Sequence, residues 1–165
     1  MTDTEFYKKY RKNRLIVCRG YFHLHEFVEK LDSTYKGKKK HILYSEFESQ
    51  TRWNNIQKSR LIESLILNIP IPPVYFYEQD YASYQAINGS NQLMAIYDFL
   101  TKKFALEGLE YWKELNGKRI DDLPDDAIDA IMKRHFGMIT VFCDINEEGS
   151  VQALKKLLFD RLNLK

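Results

Sequence analysis

The fold is decided by Lys58-Ser-Arg-Leu-Ile-Glu-Ser-Leu-Ile-Leu-Asn68, then Ile69-Pro-Ile-Pro-Pro-Val-Tyr-Phe-Tyr77, then Tyr84-Gln-Ala-Ile-Asn-Gly-Ser-Asn-Gln-Leu-Met-Ala-Ile-Tyr-Asp-Phe-Leu100. Leu61, Ile62, Leu65, Ile66 and Ile69 recur at helical spacing, while Arg60, Glu63 and Asn68 fall off that stripe. This predicts an amphipathic helix. Pro70, Pro72 and Pro73 lack an amide donor and force the residues before them toward extended geometry, so the helix stops by Asn68 or Ile69. Val74-Tyr-Phe-Tyr77 is β-branched and aromatic, residues 78–83 are a polar turn, and Tyr84-Gln-Ala-Ile87 resumes an extended run, which together predict a hairpin. Asn88 and Gly89 tolerate positive φ, Ser90 can cap, and Leu93, Ile96, Tyr97 and Leu100 mark one face of a second helix. A strand thus runs through a glycine turn into a helix start, where free amides and the helix dipole favour an anion. The same arrangement also serves as an ordinary connection.

Outward from this unit toward the N-terminus, His41-Ile-Leu-Tyr44 predicts a strand. Lys36-Gly-Lys-Lys-Lys40 is a charged loop, either solvated or set against a nucleic-acid backbone. Leu24, Phe27, Val28 and Leu31 predict a helix running to about Thr34, with His23 and His25 exposed rather than ligating a metal. Leu15-Ile-Val17 is a short strand, preceded by a segment, 1–14, expected to be mobile. Trp53 either stacks on a base or anchors the Lys58 helix.

Toward the C-terminus, Phe104-Ala-Leu106 predicts a short strand and Tyr111-Trp-Lys-Glu-Leu115 a helical turn ended by Asn116-Gly117. Carboxylates at 121–126 around Pro124 are helix-start chemistry. Met138-Ile-Thr-Val-Phe142 reads as a buried strand. Val151, Leu154, Leu157, Leu158 and Leu162 give a closing amphipathic helix.

The chain has 165 residues, 44% of them hydrophobic. That suits one domain, 1–165, since a domain of this size buries roughly 70% of the surface its unfolded chain exposes. A net charge of +2 does not by itself argue for nucleic acid. Cys18 and Cys143 stand apart, as free thiols in a reducing cytoplasm would. No apolar run approaches the ~18 residues of a membrane span.

The words around Lys58 to Pro73 and Asn88 to Leu100 resemble the N-terminal domain of GmrSD-type modification-dependent restriction proteins, within the ParB/sulfiredoxin-like superfamily. The likeness continues through Gly108-Leu-Glu-Tyr-Trp-Lys-Glu-Leu-Asn-Gly117, Asp122-Leu-Pro124 and Phe159-Asp-Arg-Leu-Asn163, covering most of the chain from about Leu24. It implies an α+β fold, a small mixed sheet with packed helices, ParB/sulfiredoxin-like. It further implies a site that binds and hydrolyses a nucleoside triphosphate with magnesium, coupled to a nuclease domain or subunit acting on modified foreign DNA. Family members continue past the Phe-x-Arg-Leu-Asn element, so a chain stopping at Lys165 is expected to be either a piece of a longer protein or a stand-alone remnant.

The family signature Asp-Gly-Gln-Gln-Arg-Leu is here Asn88-Gly89-Ser90-Asn91-Gln92-Leu93, without its acid and its arginine. The family's Phe-Gln-Arg element is Phe47-Glu48-Ser49, followed by Arg52 and Trp53. An amide at 88 is no charged metal ligand, and Gln92 cannot clamp a phosphate bidentately as arginine does. The expectation is therefore a catalytically silent binding or interaction domain related to restriction and phage-defence proteins, with no catalytic residue and no metal ligand. The alternative is a nucleotide-hydrolysing or DNA-binding subunit working with another chain. Candidate nucleotide or phosphate contacts are Asn88, Gly89, Ser90, Asn91, Gln92, Glu48, Ser49, Arg52, Trp53 and Lys58. Residual affinity is expected in the amides of 89–92, together with Arg52, Lys58 or the lysine loop.

Overall fold

The computed structural model describes residues 15–35, 37–39, 41–42, 44–48, 52–81, 83–143 and 148–164. The segment 1–14, Ser49, Lys36 and Lys40 lie outside the described residues. In order, the chain forms β1 (Ile16–His23), α1 (Leu24–Asp32), the short strands β2 (Thr34–Tyr35) and β3 (Lys38–Lys39), β4 (His41–Ile42), α2 (Asn55–Ile66), β5 (Val74–Asp80), β6 (Ser83–Asn88) and α3 (Ser90–Leu100). Two 3-10 turns (Lys113–Leu115, Ile120–Asp122), α4 (Asp125–Met132), β7 (His135–Phe142) and α5 (Glu148–Leu162) follow. The sheet order is β1-β7-β5-β6-β4, while β2 and β3 pair only with each other. Pairs β1/β7 and β5/β6 are antiparallel and β5/β7 and β4/β6 are parallel, so the fold is α+β with a mixed sheet.

Alternation along β5 sorts its side chains onto the two faces. Val74 and Phe76 join Ile62, Leu93, Phe99 and Phe136 in the main core on the side of α1 to α4. Tyr75 and Tyr77 turn to the opposite face, where Ile87 and Leu154 of α5 meet them. Burying an aromatic or branched apolar side chain is worth about 1.5–3 kcal/mol, so the first face dominates stability.

The proline-stopped helix, the hairpin and the glycine turn all form, with ends set by details the periodicity does not carry. α2 starts three residues before Lys58, because Asn54 and Gln57 make a reciprocal capping box: Gln57 N–H donates to Asn54 Oδ1 at 2.9 Å and Asn54 N–H to Gln57 Oε1 at 3.0 Å. It ends with Asn68 at φ 60°, where Ile69 N–H reaches Ser64 O at 2.8 Å, the paired closure expected of a left-handed residue after the last turn. Gly89, not Ser90, caps α3, at φ 98°. A Cβ there would meet Gln92 Oε1 at 2.8 Å and Val74 Cγ2 at 3.0 Å.

Several expectations need correction. Glu63, off the apolar stripe, is only 4% exposed, and its carboxylate accepts the N–H groups of Glu110, Tyr111 and Trp112 at 2.8–3.2 Å. Phe104 and Leu106 are buried but form no strand; Leu106 instead exchanges backbone bonds with Gly117 and Lys118. The expected strand 15–17 runs on to His23, and α1 stops at Asp32 because Thr34 enters the β2/β3 hairpin. That hairpin turns at Gly37, φ 74°, within the lysine-rich run read as a loop. His23 and His25 are exposed, as expected.

Candidate functional site

On the face away from the main core, β5 presents Tyr77 and Gln79 and β6 presents Gln85. A cleft of about 910 Å³ opens between this face, α5, residues 44–48 and the start of α3. Of the residues picked from sequence, Glu48, Arg52, Trp53, Lys58, Ser90 and Asn91 line it, whereas Asn88, Gly89 and Gln92 do not. Asn88 points its amide toward Asn163 Oδ1, 3.5 Å away. Gln92, only 8% exposed, donates to the Pro72 carbonyl at 3.3 Å.

The start of α3 already carries an anion from within the chain. The Glu48 carboxylate accepts Gly89 N–H through Oε1 at 3.0 Å and Ser90 N–H through Oε2 at 2.7 Å. Helix-start amides and dipole hold a carboxylate as they would a phosphate. Neighbouring bonds fasten the same segment. Ser45 N–H donates to Ser90 Oγ at 2.6 Å, Ser45 Oγ to the Ile87 carbonyl at 2.7 Å, and Trp53 N–H to Asn91 Oδ1 at 3.1 Å. Ser90 and Asn91 thus fasten Ser45 and Trp53 to the β6–α3 junction. Of the amides at 89–92 expected to carry residual affinity, those of Gly89 and Ser90 are engaged by Glu48 within the chain.

Lys58 is likewise engaged: its Nζ lies 2.7 Å from Asp98 Oδ2, in a largely buried pair, and Lys103 approaches the other Asp98 oxygen at 3.3 Å. Both nearby carboxylates, Glu48 and Asp98, therefore have partners. The helix start as folded does not fit a magnesium triphosphate. Among the described residues no three His, Cys, Asp or Glu side chains are placed to hold a metal ion. Arg52 lies over the Tyr44 ring, 5.8 Å from its centroid. Trp53 is half-buried and packs against the main core, in keeping with an anchor, while still lining the cleft.

The opposite end of the cleft escapes sequence reading. Glu46 accepts Gln85 Nε2 at 3.0 Å and a short bond from Gln152 Nε2. Those two amides, then the Lys155 charge, hold its carboxyl below the ordinary glutamate value against the opposing effect of burial. Lys155 donates to Gln85 Oε1 at 2.5 Å and to Gln79 Oε1 at 3.4 Å. A signal existed for Lys155: with Val151, Leu154 and Leu158 it completes the i, i+3, i+4, i+7 stripe of α5.

Cys18 is exposed and Cys143 half-buried, and neither forms a disulfide. No described helix is long and apolar enough to cross a membrane. Comparison of the chain with protein-family models, with curated proteins and with solved structures gives no match in any of the three.

Proposed function

We propose that the chain is a non-hydrolysing binding domain, related to the N-terminal domain of GmrSD-type restriction and phage-defence proteins in the ParB-like group, that takes a nucleotide-sized ligand beside a nuclease domain or subunit. The cleft carries this reading. Its volume, about 910 Å³, lies within the ~300–1,000 Å³ of small-molecule sites. Its lining joins the aromatic faces of Tyr44, Trp53 and Tyr77 to the amides of Gln79, Gln85 and Gln152, which suits a flat base with a polar edge. A net charge of +2 gives duplex DNA little electrostatic pull, so a free nucleotide is the favoured occupant.

Silence in catalysis follows from the residues at 88 and 92. Neither side chain lines the cleft, and neither supplies the charge that organises metal and phosphate. Calorimetric titration with nucleosides, 5′-nucleotides and single-stranded DNA, alongside phosphate-release assays with magnesium, tests the reading. Nucleotide binding without turnover is expected, and Trp53→Ala should weaken it by about tenfold, as loss of one stacking face does. Hydrolysis abolished by Asn88→Ala or Gln92→Ala would instead establish the hydrolysing-subunit alternative. Absence of binding to every probe would leave only a protein-interaction role.

A further inference from the structure

Lys155 is 4% exposed, yet it lines the cleft. Its ammonium is held by two neutral amide oxygens, Gln85 Oε1 at 2.5 Å and Gln79 Oε1 at 3.4 Å, and lies 5.3 Å from the Tyr77 ring centroid. Among the described residues no carboxylate forms an ion pair with it; Glu46, which accepts from the same Gln85 amide, acts on it through charge. The other cations on the cleft differ: Lys58 is paired with Asp98, and Arg52 is exposed over Tyr44. A buried ammonium without a directly paired counter-charge is unfavourable, and burial accordingly pushes its pKa down, with the Glu46 charge acting the other way. Retaining such a group in a cleft wall, where an apolar residue would pack better, suits a role in holding a charge that the chain does not supply.

We propose that Lys155 is the anion receptor of the cleft, so that a phosphate or carboxylate group of the ligand docks against α5 and β6 and not on the start of α3, which Glu48 occupies. This rests on the cleft being a ligand site, as proposed above. It deepens that reading by fixing the ligand as an anion and by placing its charged end on the side opposite to the one the family signature marks. A ligand oriented in this way directs its uncharged part toward Trp53 and Tyr44.

The test is titration of the full chain with adenosine, uridine, their 5′-monophosphates and inorganic pyrophosphate, on the unmodified protein, Lys155→Met and Glu48→Gln. A monophosphate should bind about tenfold or more tightly than its nucleoside, the scale of one charge-assisted hydrogen bond. That advantage should persist in Glu48→Gln and vanish in Lys155→Met, with nucleoside binding kept. Melting without ligand separates folding from binding: a purely structural lysine would give a lower melting temperature in Lys155→Met together with an unchanged phosphate advantage. Amine acetylation of the unmodified chain supplies a second measurement: monophosphate or pyrophosphate, but not nucleoside, should protect Lys155. Equal binding of nucleoside and monophosphate would overturn the receptor while leaving the cleft reading standing. Lack of binding by any probe would overturn both. A phosphate advantage that survives in Lys155→Met, or unchanged acetylation of Lys155 with bound phosphate, would also overturn it.

Discussion

The two faces of the sheet are built to different standards. Beneath α1 to α4, Val74, Phe76, Leu93, Phe99 and Phe136 are at most 1% exposed and interlock in one apolar cluster. Beneath α5, the buried apolar members are Tyr77, Ile87 and Leu154, and the polar Gln85 and Lys155 are buried close by. The first face has polar groups too, but Glu63 and Ser59 there receive amides from the loop 107–112 and so close it down. The second keeps an open cleft lined by polar groups. Stability is concentrated on one face, and the other carries the polar-lined cleft proposed above as the ligand site.

The strongest attack on this contrast is Phe99→Ala, on the packed face. It should cost about 3–5 kcal/mol, the usual range for a buried aromatic, measured by urea unfolding. Leu154→Ala, under α5, should cost about 2 kcal/mol, since its cavity adjoins the cleft and can be filled by water or by movement of the helix. If Leu154→Ala proved the more damaging of the two, the assignment of stability to one face would be wrong.

Gly89 joins the two faces, at the end of β6. Gly89→Ala should destabilise by about 1–2 kcal/mol from the left-handed backbone alone, with further loss from contact with Val74. An unchanged melting curve would mean that the junction relaxes freely. Glu46→Gln has the smallest expected effect. Its carboxyl is depressed in the folded chain, so it contributes stability above the ordinary glutamate range and loses it as pH falls through the depressed value. The variant should therefore be slightly less stable than the parent at neutral pH and converge with it on acidification, giving a shallower loss of stability. Superimposable acid limbs would show that the Glu46 network adds nothing to the folded state.

What the sequence displayed and what it hid divide along physical lines. Helix α2, its stop at Asn68, the β5/β6 hairpin and the Gly89 turn are local: side-chain period, proline sterics and glycine freedom are all written within a few neighbours. Glu63 was hidden because it sits off the apolar stripe like a solvated charge, and only the distant amides at 110–112 make it a buried one; Lys155 lies on the stripe of α5, but its partners Gln79 and Gln85 are distant in sequence. Six of the candidate residues do line the cleft. The occupation of the helix start by Glu48 was unreadable because it depends on where residues 44–48 return in space. The extent of β1 was missed because its residues are almost all exposed, so no alternation marks it.

That same strand constrains how the chain reaches its folded state. β1 comes early and pairs along its whole length with β7, from Ile16 opposite Phe142 to His23 opposite His135. During synthesis, therefore, Ile16 and Val17 leave the ribosome long before the strand that shelters their backbone exists. Closing so long a loop carries its entropy loss before any ladder bond offsets it, so β1 docks as a late and slow event in refolding. Until β7 arrives, the Leu15-Ile-Val17 edge presents unpaired backbone beside exposed apolar side chains, a surface on which strands of separate copies can pair.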